Sequence, residues 1–344
     1  MGTIIEARIL LFDRNGTALV EIEPALESVV WRLNGVGQAR FVLPWTDPGC
    51  TQANLRLGNR VLIQFTEAAL PDWGGVIDTP RSWEQGSTTI TAYTGEQLLS
   101  WRVTDRGRYF SQAAPGYVFE SLIAEENAER PTGLTVGTIY KGGTPRTLEY
   151  HYHNLLKRVQ DLVRLTGQDF DVTPQYSGGR LSFLANWHKR RGTDRSATVR
   201  LVDGQNVHQP TLDEQGTIAS RVICVGEGTT WGPDRTLYVA EDSDSRQSYG
   251  YREYAEVQTG VAIASTLEAN AKAILDEKRN PATMITLHAS NQAPGLFEDY
   301  DIGDIVGADL FDSDEWSHSA NVRVLAREWF PGQPCRVEVE EWHP

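Results

Sequence analysis

A mainly β protein with α+β insertions is what the sequence predicts, built as two β-barrel or sandwich domains, a small α/β domain and one inserted helix. Three observations carry that expectation. Short stretches with period-two alternation recur towards both ends of the chain, separated by turns rich in Gly, Asn and Asp. Helical spacing is confined to a few stretches between them. Finally, one turn-and-strand pattern occurs twice. Within Leu57 to Pro80, Gly58-Asn59 precedes Val61, Ile63 and Phe65, and within Tyr300 to Leu310, Gly303-Asp304 precedes Ile305 and Val306. Two copies of one β-module make an internal repeat, with Gly58-Asn59 and Gly303-Asp304 in equivalent turns.

The first β-domain is expected over residues 1–103. Ile9 and Leu11, then Ala18, Val20 and Ile22, flank Asp13-Arg14-Asn15-Gly16, whose Asn-Gly pair signals a hairpin. Val30 to Leu33 and Ala39 to Leu43 flank a second turn at Asn34 to Gly37. Val61, Ile63 and Phe65 alternate with Arg60, Leu62 and Gln64, as on a strand with one buried face. Gly74-Gly75, after Trp73, suggests a bulge or a close backbone approach.

A small α/β domain is expected over 104–200. Pro115 opens a helix carrying Val118, Phe119, Leu122 and Ile123, which Pro131-Thr132-Gly133 stops. Asn154 caps a second helix with Leu155, Val159, Leu162 and Val163 on one face, and Gly167 ends it. A strand pair around Ser177-Gly178-Gly179 follows. The second β-domain is expected over 201–258 and 283–344, interrupted at 259–282 by an alanine-rich helix that the box Ser265-Thr266-Leu267-Glu268 opens.

A chain of 344 residues is long for one domain and has an ordinary globular composition, 40% hydrophobic and 23% charged. The formal charge of −14 argues against a protein that grips nucleic acid by its phosphates. Cys50, Cys224 and Cys335 lie far apart, without the spacing of a zinc site or a disulfide framework. The N-terminus lacks the basic leader and cleavage site of a signal peptide, and no stretch approaches the roughly 20 apolar residues of a membrane span.

In their order, Gly58-Asn59-Arg60-Val61, Trp73-Gly74-Gly75-Val76-Ile77 and Leu98-Leu99-Ser100-Trp101-Arg102 resemble the N-terminal β-domain of baseplate-hub, or tail-tip, proteins of long-tailed bacteriophages. Tyr249 to Glu253, the alanine-rich helix and Tyr300 to Val306 continue the resemblance over essentially the whole chain. The resemblance implies two tail-tube-like domains and a homotrimer forming a pseudo-hexameric ring that closes the tail tube and passes DNA through its lumen without specific binding. It also implies a virion tail-tip location, assembly in the host cytoplasm, and distal tail or tube rings, a tape-measure protein and tip or fibre proteins as partners. Larger members carry a peptidoglycan hydrolase or a fibre-like extension; here the chain is expected to stop at Glu341-Trp342-His343-Pro344, immediately after its last strand, with room for neither.

No residue is assigned a catalytic, cofactor-binding or metal-ligating role, and no cofactor is expected. His151 and His153 on a strand would lie on one face about 6.6 Å apart, but no third ligand is evident and a surface or packing role is simpler. His188, His208 and His288 could converge only by folding. The acidic stretches Glu241 to Asp244 and Asp309 to Glu315 lack the ligand spacing of a calcium loop. Lys189-Arg190-Arg191 reads as a solvated turn. Neither a phosphate-binding glycine loop nor a nucleophile elbow is present. Trp31, Trp45, Trp73, Trp83 and Trp101 are expected to fill the core and subunit contacts of the first β-domain. A carbohydrate- or receptor-binding β-module is the competing reading, and a cell-wall-degrading enzyme rests on no motif.

Overall fold

In the computed structural model, which describes residues 7–65, 70–104, 107–228, 235–258, 261, 263–311 and 317–342, the early alternating stretches form seven strands. These are β1 (Ala7–Phe12), β2 (Ala18–Ile22), β3 (Ala25–Arg32), β4 (Gln38–Pro44), β5 (Arg60–Phe65), β6 (Trp73–Glu84) and β7 (Ser87–Thr94). They lie in the order β2-β1-β5-β6-β7-β4-β3, all neighbours antiparallel. Asp13 sets the first hairpin by accepting the N–H groups of Asn15 at 2.9 Å and Thr17 at 2.8 Å. A side chain bonding its own backbone is a turn device.

The middle of the chain forms α1 (Gln97–Ser100), β8 (Arg108–Ala113), α2 (Pro115–Glu129), β9 (Leu134–Ile139), β10 (Arg146–Tyr150), α3 (Leu155–Thr166), β11 (Asp169–Ser177) and β12 (Arg180–His188). The strands make a sheet β11-β12-β9 and a pair β10-β8. Asn154 caps α3 through the N–H of Lys157, and Gly167 ends it at φ +63°. Phe119 of α2 packs on Phe170 and Trp187. That core also takes Leu10, Phe12, Leu62 and Val76 from β1, β5 and β6. The single buried face expected for β5 is therefore corrected: Val61 and Ile63 face one core while Leu62 faces the other, so the strand reads as an apolar run. Gly74-Gly75 is a close approach rather than a bulge, since pairing with β5 is continuous there and a Cβ on Gly74 would collide with Pro174 of β11.

The last part forms β13 (Arg200–Val202), β14 (Val207–Gln215), β15 (Arg221–Val225), β16 (Leu237–Glu241), α4 (Ser243–Tyr249), β17 (Glu253–Val257), α5 (Ala264–Lys278), β18 (Ala282–Ala289), β19 (Ile305–Leu310), β20 (His318–Trp329) and β21 (Cys335–Glu341). Here the expected boundaries change. β15, β16 and β17 pair only with one another among the described strands and share a small core with α5, through Val222, Cys224, Leu267 and Ile274. The helix expected as a lone insertion at 259–282 is thus the last piece of a larger inserted unit, which includes strands assigned above to the second β-domain. The capping box does not form: α5 begins at Ala264, after Ile263, without a side-chain cap, and so places Ser265 inside its first turn.

β14, β18, β21, β20, β19 and β13 form the second β-unit, and β20 also pairs with β3. Both units thus belong to one sheet of thirteen described strands with one apolar core, contributed by residues from Ile9 to Val339. The two units repeat one topology. The path β1-β5-β6-β7-β4-β3 is matched by β13-β19-β20-β21-β18-β14. They differ at one step, where β1 runs antiparallel to β5 but β13 parallel to β19. The inserted unit lies between β14 and β18, the place that the tight turn Asn34 to Gly37 takes between β3 and β4.

Candidate assembly interface

The repeated turns have the same backbone bonding. Gly58 N donates to Ile77 O at 2.9 Å and Ile77 N to Asn59 O at 2.8 Å; Gly303 N donates to Val324 O at 2.7 Å and Val324 N to Asp304 O at 2.9 Å. Gly58 and Gly303 take φ of +87° and +89°, values that favour glycine. The buried side chain after each glycine ties down its loop. Asn59 donates to the carbonyls of Ala53 and Asn54, both at 2.9 Å, whereas Asp304 accepts from Thr193 N at 2.7 Å and Arg195 Nε at 3.0 Å.

A second motif is repeated, and alternation and turn signals do not mark it. β6 carries Arg81-Ser82-Trp83 and β20 carries Arg327-Glu328-Trp329, each after a bulge. Arg81 donates to Leu55 O, three residues before Gly58; Arg327 donates at 2.5 Å to Tyr300 O, three residues before Gly303. The signal was present as Arg-x-Trp at distances from the two Gly-Asn/Asp turns that differ by one residue. Only strand register makes that short match meaningful.

Where the two units meet, Trp329 stands opposite Val29, Glu328 opposite Val30, and Arg327 opposite Trp31. Trp329 packs edge-on against Phe65, with ring centroids 5.3 Å apart, and Phe65 contacts Trp31. Arg327 is 1% exposed and also donates to Phe297 O at 3.1 Å and lies over the Tyr300 ring at 4.6 Å. A buried guanidinium is tolerable because carbonyl and ring partners replace water. Burial beside this group pushes the Cys335 thiol up to about 11.

The α/β unit is tied to the second β-unit by charge. Asp169 accepts from Arg323 Nη2 at 2.5 Å, from Arg191 N at 2.7 Å and from Asn34 at 2.7 Å. Asp171 accepts from Asn186 at 2.7 Å and meets His188 at 3.2 Å and Arg191 at 3.3 Å. Burial pushes Asp171 upward, but the His188 hydrogen bond and the charge of Arg191 outweigh it and hold the carboxyl below its usual range. Lys189-Arg190-Arg191, read as a solvated turn, thus contributes Arg191 to this junction, while Arg190 lies over the Trp342 ring at 5.1 Å.

The remaining candidates stay dispersed. His151 and His153 are exposed; the His151 N–H donates to His153 Nδ1 at 3.1 Å, and burial lowers the His153 pKa, followed by the charge of Arg158. His208 and His288 face each other across β14 and β18, while His188 is on Asp171. Among the described residues, no group of three or more His, Cys, Asp or Glu could hold a metal. Asp242 caps α4 through Ser245 N at 2.7 Å. Asp309, bonded to Arg200, is pulled down to about 2, whereas Asp312, Asp314 and Glu315 lie outside the described residues. Trp31 and Trp73 are buried; Trp45, Trp83 and Trp101 are exposed. Three concavities among the described residues, of about 250, 230 and 100 Å³, fall below the roughly 300 Å³ at which ligand pockets begin.

No protein-family model matches the sequence, and no curated protein matches it. Solved structures do match. The chain is similar to prophage tail protein gp18 from Listeria monocytogenes EGD-e, at TM-score 0.62 and 12% identity, covering 97% of this chain and 94% of that one. It is similar to a tail protein from Neisseria meningitidis MC58, at TM-score 0.63 and 12% identity, covering 97% and 96%. The 43 kDa tail protein of prophage MuSo2 from Shewanella oneidensis matches at TM-score 0.60 and 12% identity, covering 97% and 98%. A mainly β chain of two repeated units in one sheet, with an α/β unit between them and a small inserted unit, has the fold of these tail proteins.

Proposed function

We propose that the protein is a structural hub of a phage-type tail tip or baseplate, with three copies forming a pseudo-hexameric ring that closes the tail tube and lets DNA pass. The observation that carries this reading is the duplication: two units of one strand topology fused into a single sheet. A chain with two equivalent units can continue a sixfold tube with only three copies, since symmetric closure requires like interfaces around the ring. The likeness to these tail proteins, two of them from prophages, supports the same setting. A formal charge of −14 suits a conduit for a polyanion, because an acidic wall offers no ladder of cationic sites. Its neighbours would be distal tail or tube rings, the tape-measure protein and tip or fibre proteins.

The test is cryo-electron microscopy of particles carrying this chain. Three copies around the tail axis, with both β-units lining the channel, are expected; a location off the axis overturns the reading. No catalytic step is assigned to the chain, so zymography on cell wall should give no clearing.

A further inference from the structure

We infer that copies of this chain join edge to edge through β14 of one and the outer half of β6 of the next, in the register that β3 and β20 already use within the chain. Following backbone partners from the two repeated turns fixes the correspondence. Ile77 leads through Ala92 and Ala39 to Val29; Val324 leads through Val339 and Ile285 to Leu212. Val29 is therefore the counterpart of Leu212, and Trp31, two residues on, the counterpart of Glu214. On the other side, Arg81 and Trp83 correspond to Arg327 and Trp329.

In the internal junction Trp329 faces Val29 and Arg327 faces Trp31. Transposed to the free strands, that register sets Trp83 opposite Leu212 and Arg81 opposite Glu214 of the next copy. The surface chemistry fits. Trp83 is 42% exposed and Leu212 38%, whereas Trp329 and Val29, which have found their partners, are 4% and 0%. Arg81 against Glu214 pairs opposite charges across strands, which favours the register. Both edges are open: β14 ends the sheet, and beyond its bulge β6 pairs only with β7 among the described strands. Unpaired edges invite strand addition unless something covers them.

The inference rests on the ring reading for the number of copies alone. The test uses the full chain in a Cys50→Ala background, since Cys224 and Cys335 are buried. One preparation carries Trp83→Cys and another Leu212→Cys; they are mixed and treated with a short bismaleimide, while sedimentation equilibrium reports mass. Covalent dimers from the mixture, but from neither preparation alone, are expected. Glu214→Arg should weaken self-association about tenfold, and adding Arg81→Glu should restore it. Glu214 is exposed, so Glu214→Arg can be read even if Arg81→Glu impairs folding by losing its bond to Leu55 O. A trimer that neither cross-links nor responds to Glu214→Arg overturns the β14–β6 pairing and leaves the ring reading standing. A chain that remains monomeric without cross-linking counts against both.

Discussion

At the residue scale, buried charge reveals most about how the fold is held. Arg327 satisfies the carbonyls of Tyr300 and Phe297 at the junction of the two β-units, so Arg327→Ala leaves two buried acceptors without a donor. A loss of about 3 kcal/mol is expected, seen as a lower Tm in calorimetry. Arg81→Ala, at the equivalent but more open position, should cost less. Glu96 gives a pH signature. Burial lifts its carboxyl to about 7 even though hydrogen bonds, including that from Val172 N at 2.8 Å, oppose the shift. The folded chain then binds a proton that the unfolded chain has released. Its contribution is fully present below about 4.5 and is lost as pH rises towards 7. Denaturant titrations between those values should show stability falling with pH for the native chain and a flatter profile for Glu96→Gln, whose amide oxygen can still accept the Val172 N–H. Equal slopes would exclude Glu96 as the source.

At the element scale, the duplicated turns make a matched pair of tests. Gly58→Ala and Gly303→Ala both force a side chain to a positive φ, at about 1 kcal/mol each. Nothing lies near a Cβ at Gly58, but at Gly303 it would stand 2.7 Å from Arg191 O. Gly303→Ala should therefore lower Tm more than Gly58→Ala; equal losses would mean that backbone conformation alone decides. Much of this level was legible in sequence. The Asn-Gly hairpin, the Asn154 and Gly167 caps and the Gly58 and Gly303 turns are local devices, set by residues a few positions apart. The failures were also physical. β5 was read as having one buried face because alternation says nothing of a second layer, and here the α/β unit covers the other face. The box at Ser265 was read as a cap, yet α5 starts a residue earlier, at Ala264.

For the whole molecule, the inserted unit follows from where β14 and β18 break. β15, β16, β17 and α5 have their own small core, while the corresponding connection between β3 and β4 is a tight turn. Replacing 217–280 by an Asn-Gly turn is expected to leave the main sheet folded, with amide exchange protection retained in β4, β7 and β21. Loss of that protection would show that the inserted unit supports the sheet.

The sequence by itself determined the β class, most turns, the two main middle helices and the existence of a repeat, because alternation, caps and positive-φ glycines act over a few residues. Only the tertiary structure decided which strands belong together. β15 and β21 alternate in the same way, and nothing local tells a strand whether its partner is the neighbouring hairpin or a unit three hundred residues away. The same limit hid Arg-x-Trp as a repeated motif. Its meaning lies in the register between β3 and β20, where Trp329 is buried, and in the free edge of β6, where Trp83 is exposed.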